Sequence, residues 1–287
     1  MTGYVATIGM FDGVHRGHQF VLQQVVETAR ACGLQPMAIT FERNEQQTLT
    51  PMGAKRLLLT KMGIERIEVL PFTDELRLMT ARQFMQQVLR DELGVKILLT
   101  GYDNRFGHNR TEGFDDYVRY GKELGIDVRQ LPPITPPLSS SLIRQLLTEG
   151  RVSEAAEALG YNYTIEGCVE HGEHVGTKLG FPTANIELVN EHQLIPAAGV
   201  YAVKVRIPHS MEDKHAMMNI GHRPTFDGQR QTLEVHILQL HENLYGQELL
   251  VSFVKRLRDE QRFDSIEALK SQLQQDKQAA EEAMEED

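Results

Sequence analysis

The chain has 287 residues, enough for one large domain or two ordinary ones. A hydrophobic content of 41% with 24% charged residues is that of a soluble globular protein, and the net charge of −10 argues against a nucleic-acid partner. Two cysteines in different halves, Cys32 and Cys168, point to a reducing compartment and not to a disulfide framework. No basic stretch followed by an apolar core opens the chain, and no apolar run approaches the roughly 18 residues that span a bilayer. A cytoplasmic location without membrane attachment is expected, and self-association into a homo-oligomer is left open.

Tyr4 to Ile8 is short, apolar and bounded by Gly9, the pattern of a buried strand. Gln19 to Ala31 carries Phe20, Val21, Val25 and Ala29 at roughly helical spacing. His15 and His18 therefore fall at the turn from the first strand into the first helix, on one face of its first turn. A helix N-terminus exposes unpaired N–H groups and partial positive charge, which favours phosphate. Gly13 and Gly17 leave room for a nucleotide to approach the backbone. Two other readings of the pair stay open on spacing alone. They could be metal ligands, although no third ligand lies nearby at zinc spacing, or surface histidines at a helix start.

Strand and helix patterns then alternate. Strands are expected at Pro36–Phe41, Ile64–Leu70, Val95–Thr100 and Asp127–Leu131, and helices at Lys55–Met62, Thr80–Leu93 and Asp115–Leu124. Such βαβ alternation predicts a parallel sheet flanked by helices, with ligands outside the carboxyl ends of the strands. A Pro-rich loop, Pro132 to Pro137, precedes Ser139-Ser-Ser-Leu-Ile-Arg144, which opens a helix. Its serines are good N-caps, and with Arg144 they would also suit the outer phosphates of a nucleotide. Arg151–Leu159 is a short helix. Beyond about Tyr161 the pattern becomes β-rich, with runs at Tyr163–His171, Gly199–Ile207, His215–Ile220, Thr232–Leu240 and Glu248–Phe253. Short strands with Gly and Pro turns predict a small antiparallel barrel. A helix over Ser265–Ala283 closes the chain. Two abutting domains are expected, 1–160 and 161–287.

Seven segments in this order resemble the bacterial bifunctional riboflavin kinase/FAD synthetase family. They are Gly9-Met-Phe-Asp-Gly-Val-His-Arg-Gly-His18, Gly101-Tyr-Asp-Asn-Arg-Phe-Gly107, Ser139-Ser-Ser-Leu-Ile-Arg144, Leu179-Gly-Phe-Pro-Thr-Ala-Asn185, Asn219-Ile-Gly-His-Arg-Pro-Thr225, Glu234-Val-His236 and Leu257-Arg-Asp-Glu260. The resemblance implies a nucleotidylyltransferase-type Rossmann-like domain followed by a riboflavin kinase-like barrel with a terminal helix. The first would transfer AMP from ATP to FMN, giving FAD and pyrophosphate. The second would transfer the γ-phosphoryl group of ATP to riboflavin, giving FMN. It further implies His15 and His18 as catalytic residues that donate hydrogen bonds to the phosphate oxygens, and Gly9, Phe11, Gly17, Ser140, Ser141 and Arg144 around that ATP. Asp103, Arg105 and Phe106 would contact the flavin nucleotide. In the kinase, Glu234 would act as base, Thr183 and Asn185 would hold Mg2+, and Gly180, Pro182 and Asn219 would contact ATP. On their own residues Thr183 and Asn185 read equally as turn formers, Glu234 as a solvent-facing strand residue, and Arg223 as a turn residue or a nucleotide contact. The chain departs from the family at Glu42-Arg43-Asn44, where Pro-His-Pro is usual, at Asn104, where an aromatic residue or His is common, and at Thr177, often Arg. The first departure keeps open a kinase with an impaired adenylyltransferase, and a non-catalytic flavin- or nucleotide-binding regulator is the third reading.

Overall fold

The computed structural model describes residues 3–42, 47–102, 104–171, 176, 179–208, 210, 212–225, 228–240 and 242–285, with residues 109, 223–225 and 228–230 described by their backbone alone. Two compact units are present, Met1–Ser140 and Ser141–Asp287. The expected boundary at 160/161 lies further along the chain, because the two helices before it group with the second unit.

In the first unit, strands β1 (Tyr4–Ile8), β2 (Gln35–Glu42), β3 (Arg66–Pro71), β4 (Val95–Thr100) and β5 (Asp127–Gln130) form a parallel sheet in the order β3-β2-β1-β4-β5. The chain builds outward from β1 on one side and returns through β4 on the other. The carboxyl end of β1 is therefore the point where strand order reverses, the place where such sheets bind ligands. Side chains alternate along β1. Val5 joins Leu22, Val25 and Ala29 of α1 (Arg16–Cys32) and Leu59 of α2 (Met52–Lys61). Ala6 joins Met85, Leu89 and Tyr117 on the opposite face. Fully burying each such Leu, Val or Met is worth about 1.5–3 kcal/mol, so both faces of β1 are fixed by packing.

Two helical features differ from expectation. A short helix α3 (Asp74–Leu78) forms because the Thr73 hydroxyl accepts the Leu76 N–H at 3.2 Å. The helix capped by Thr80 is regular only as α4 (Ala81–Phe84), where Thr80 and Gln83 close a reciprocal capping box. It then widens into a π-helix over Met85–Glu92. Hydrophobic spacing does not register that change, because Met85, Val88 and Leu89 still reach the core. Helix α5 (Phe114–Leu124) completes the unit.

The second unit starts with α6 (Ser140–Thr148), which crosses the boundary, and α7 (Val152–Leu159). Ser153 of α7 donates to the Val254 carbonyl at 3.0 Å. Six strands follow: β6 (Thr164–Glu170), β7 (Ala184–Leu188), β8 (Gly199–Arg206), β9 (Asp213–Thr225), β10 (Gly228–Ile237) and β11 (Glu248–Arg258). They close as an antiparallel barrel in the order β10-β7-β6-β11-β8-β9. Strand β7 was not among the expected strands; its five residues follow Pro182 and alternate only weakly. The terminal helix α8 (Ile266–Glu285) lays Ala280, Ala283 and Met284 on Ala202, Met217 and Val254 of the barrel.

Candidate active sites

In the first unit the turn after β1 is tightly built. Phe11 and Val14 take positive φ, 47° and 34°, as does Gly13 at 81°. A β-branched residue in that region is strained, and such strain gathers at functional turns. The turn is held from residues far along the chain. The Asp12 carboxylate accepts the Leu49 and Thr50 N–H groups at 3.0 and 3.1 Å and the Thr48 hydroxyl at 3.1 Å. Thr50 Oγ1 accepts the Gly13 N–H, and Ser140 donates to the Asp12 carbonyl at 2.8 Å. Lys55, buried on α2, donates to the Met10 carbonyl at 2.8 Å.

His15 is the N-cap of α1, and its Nδ1 accepts the His18 N–H at 3.4 Å. The two imidazoles stack with centroids 3.7 Å apart, and Phe11 meets His18 edge-on at 5.2 Å. A side chain at Gly17 would come within 3.0 Å of the His15 ring, so this glycine makes room for the histidine as much as for any nucleotide. Phe11 covers Gly9 in the same way, at 3.1 Å from a built Cβ. Burial, then the neighbouring His15, then Lys55 hold His18 well below the usual histidine range. Its Nδ1 is enclosed and meets no protein partner among the described residues. A neutral imidazole with an enclosed, unpartnered nitrogen sits beside the α1 N-terminus, whose first turn offers Arg16 and no carboxylate. That combination suits an anion.

Of the other expected residues, Ser140 ends the first unit, while an exposed Ser141 and a half-buried Arg144 belong to the part of α6 in the second. Arg105 is exposed after β4. Phe106 is a core residue. Its ring stacks on Tyr117 at 4.1 Å, and its backbone N–H and carbonyl both bond the Tyr117 hydroxyl at 3.0 Å. It anchors the loop. Asn104 donates its amide to the Ile8 carbonyl, tying that loop to the end of β1. Asp103, Arg43, Asn44, Glu45 and Thr177 lie outside the described residues, and only the backbone of Arg223 is described.

In the second unit Glu234 on β10 stands directly opposite Asn185 on β7 and Asn219 on β9. Opposed residues on neighbouring strands point to the same face, so one row carries amide, carboxylate and amide. Glu234 and Asn219 line a cavity of about 250 Å3 together with Thr183 and His236. Leu269 and Leu273 of α8 and Phe263 before it supply an apolar wall. A second cavity of about 310 Å3, lined by Pro182, Val235, Leu244 and Tyr245, lies across β10. Thr183 lines both cavities. Gly180, at φ 85°, lines neither and turns the chain into Phe181 and Pro182.

Thr183 and Asn185 offer neutral oxygens of the kind hard divalent cations accept. The bend before Thr183 is cramped: a Cβ on Gly176 would fall 3.1 Å from the Thr183 hydroxyl oxygen. Such a donor set suits a hard divalent cation that takes most of its ligands from phosphate and water.

Several participants escaped the sequence reading. His236 donates from Nδ1 to the Pro182 carbonyl at 2.7 Å, and burial lowers its pKa. Arg258 grips the buried Asp276 of α8 through two bonds of 2.8 and 2.7 Å, and Gln272 donates to the same carboxylate at 2.9 Å. The signals were present as a histidine two residues after Glu234, and as a lone aspartate in the apolar spacing of the last helix.

Known proteins resemble this chain over both units. A family model described as FAD synthetase matches residues 1–140, and one described as riboflavin kinase matches residues 159–284. The Escherichia coli K12 bifunctional riboflavin kinase/FMN adenylyltransferase is 36% identical over 98% of this chain and 92% of its own. The Listeria monocytogenes protein of the same description is 36% identical over 96% of this chain and 90% of its own, and the Bacillus subtilis one 32% identical over 96% and 91%. A crystal structure from Streptococcus pneumoniae, described as a macrolide-efflux protein, shares the fold with a TM-score of 0.90 at 30% identity, covering 98% of this chain and 94% of that one. With motifs, both folds and full-length relatives in agreement, the chain belongs to the family of bifunctional riboflavin kinase/FMN adenylyltransferases.

Proposed function

We propose that the protein makes FMN from riboflavin and ATP in its second unit, and FAD plus pyrophosphate from FMN and ATP in its first. The observation that carries the kinase assignment is the Asn185–Glu234–Asn219 row, beside a threonine that belongs to two cavities at once. In this reading the flavin ring system takes the apolar cavity under α8. The nucleotide takes the cavity at Pro182 and Tyr245, with Gly180 shaping the turn above it. Glu234 accepts the proton of the ribityl 5′-hydroxyl as that oxygen attacks the γ-phosphorus, and ADP leaves. Thr183 and Asn185 hold the Mg2+ that neutralises charge on the transferring phosphoryl group when bound. Asn219 orients the carboxylate and the hydroxyl side of the row.

In the first unit the FMN phosphate attacks the α-phosphorus of ATP in line and pyrophosphate departs, so the protein's task is positioning and charge stabilisation. His15, His18 and the α1 N-terminus donate to the phosphates; Gly9, Phe11 and Gly17 shape the turn around them. Ser140 steadies the pyrophosphate, and Asp103, Arg105 and Phe106 contact the flavin nucleotide. The functional modules are taken as 1–160 and 161–287.

The replacement of Pro-His-Pro by Glu42-Arg43-Asn44 favours a second reading, a riboflavin kinase whose adenylyl transfer is impaired. One time course decides. Riboflavin, ATP and magnesium give FMN first and FAD afterwards if both sites work. FMN that accumulates without FAD supports the kinase-only reading, and no FMN at all overturns the kinase assignment. Efflux, the activity named for the Streptococcus protein, finds no support in a transmembrane helix here: no helix among the described residues is long and apolar enough to cross a membrane.

A further inference from the structure

His236 joins the two cavities of the second unit physically. Its ring lines the cavity that holds Glu234, two residues away on the same face of β10. Its Nδ1 donates at 2.7 Å to the carbonyl oxygen of Pro182, a residue of the other cavity. A carbonyl only accepts, so the ring proton resides on Nδ1. The ring also meets Phe181 edge-on, with centroids 5.4 Å apart. It thus grips the Gly-Phe-Pro-Thr segment at two successive residues.

The carbonyl it holds belongs to the peptide unit that ends in the Thr183 nitrogen. That unit is planar, so fixing its oxygen fixes the direction in which the chain enters Thr183. Thr183 is the residue shared by both cavities. The register places nothing else of β10 against it: the ladder between β10 and β7 pairs Val235 with Ala184 and Glu234 with Asn185. Backbone pairing therefore starts one residue after Thr183, and the His236 bond extends the hold of β10 to the residue before it.

We infer that His236 is a positioning residue of the kinase site, which orients the Thr183 hydroxyl between the two substrates through the Pro182 carbonyl. This rests on the kinase reading above. The hydroxyl then faces the metal–nucleotide side without having to be ordered on binding, which lowers the cost of association.

The test compares three variants of the full chain. His236→Asn keeps an N–H near the Nδ1 position, His236→Gln moves it outward, and His236→Leu removes it. The expected result is a three- to tenfold weaker Kd for magnesium-ADP in His236→Leu and His236→Gln, measured by calorimetry. The KM for magnesium-ATP rises by a similar factor while kcat falls less. His236→Asn stays within about twofold of the parent on each count. The Thr183 amide resonance of nucleotide-free protein moves in His236→Leu and not in His236→Asn. A denaturant melt of the second unit, with an unchanged midpoint, reports on correct folding in every variant. His236→Leu that binds magnesium-ADP like the parent overturns the inference, as does a defect of equal size in Asn and Leu. A parent protein that binds magnesium-ADP but phosphorylates no riboflavin overturns the kinase reading instead, and the calorimetric series still judges His236.

Discussion

The imidazole of His18 lies against that of His15 with centroids 3.7 Å apart and planes 21° apart. Charge on one ring opposes charge on the other, and burial and Lys55 act in the same direction. His18 is expected to stay neutral well below the ordinary histidine value of about 6.5. The unfolded chain takes up that proton first, so stability is full above about pH 6.5 and declines as pH falls below it. Histidine ring NMR should show one resonance titrating far into the acid range, and His18→Gln should flatten the acid decline of the first unit in denaturant melts. A His18 resonance with its midpoint at or above 6.5 contradicts this account.

Gly17 lacks a side chain because the His15 ring occupies the space, with two ring atoms 3.0 Å from a built Cβ. Gly17→Ala should push the ring off His18 and lower FAD formation at least tenfold, with riboflavin phosphorylation unchanged. Equal loss of both activities would show damage to folding and not to the turn.

Glu234→Gln preserves the shape of the row between Asn185 and Asn219 and removes the proposed proton acceptor. Riboflavin phosphorylation should fall by roughly 10²–10⁴ in kcat, with the melting midpoint nearly unchanged. A variant that phosphorylates riboflavin at the parental rate removes Glu234 from the mechanism.

Asp276→Ala strips the partner from Arg258, whose side chain is 19% exposed while Asp276 is 3% exposed. Breaking a buried pair by removing one member costs about 3–5 kcal/mol. The second unit should unfold at clearly lower denaturant concentration, while FAD formation from FMN continues at native temperature. A shift below about 0.5 kcal/mol would mean that water satisfies Arg258 and that the pair does not anchor α8.

The sequence was most readable where local pattern and burial coincide. Apolar runs gave β1 and β4, the serine–arginine segment gave α6, and the alternation of strands and helices gave the parallel sheet. It was least readable where a tertiary partner decides. Phe106 was legible only as a residue after a strand end, and the fold adds that Tyr117, eleven residues on, stacks on its ring and bonds its backbone. Strand β7 is short and becomes a strand only through β10 and β6. Lys55 read as a helix residue, and only the return of α2 beside Met10 makes it part of the turn. The π-helix after Phe84 leaves hydrophobic spacing intact, so no pattern announces it.

The Asp12 carboxylate reaches across 37 and 38 positions of sequence to hold Leu49 and Thr50. The turn after β1 is thus held in shape by a stretch far from it in sequence. On the proposed function, lesions at Thr48, Leu49 or Thr50 will look like chemistry defects in any screen of FAD output, and stabilising that distant stretch offers a way to tune turnover from outside the turn itself.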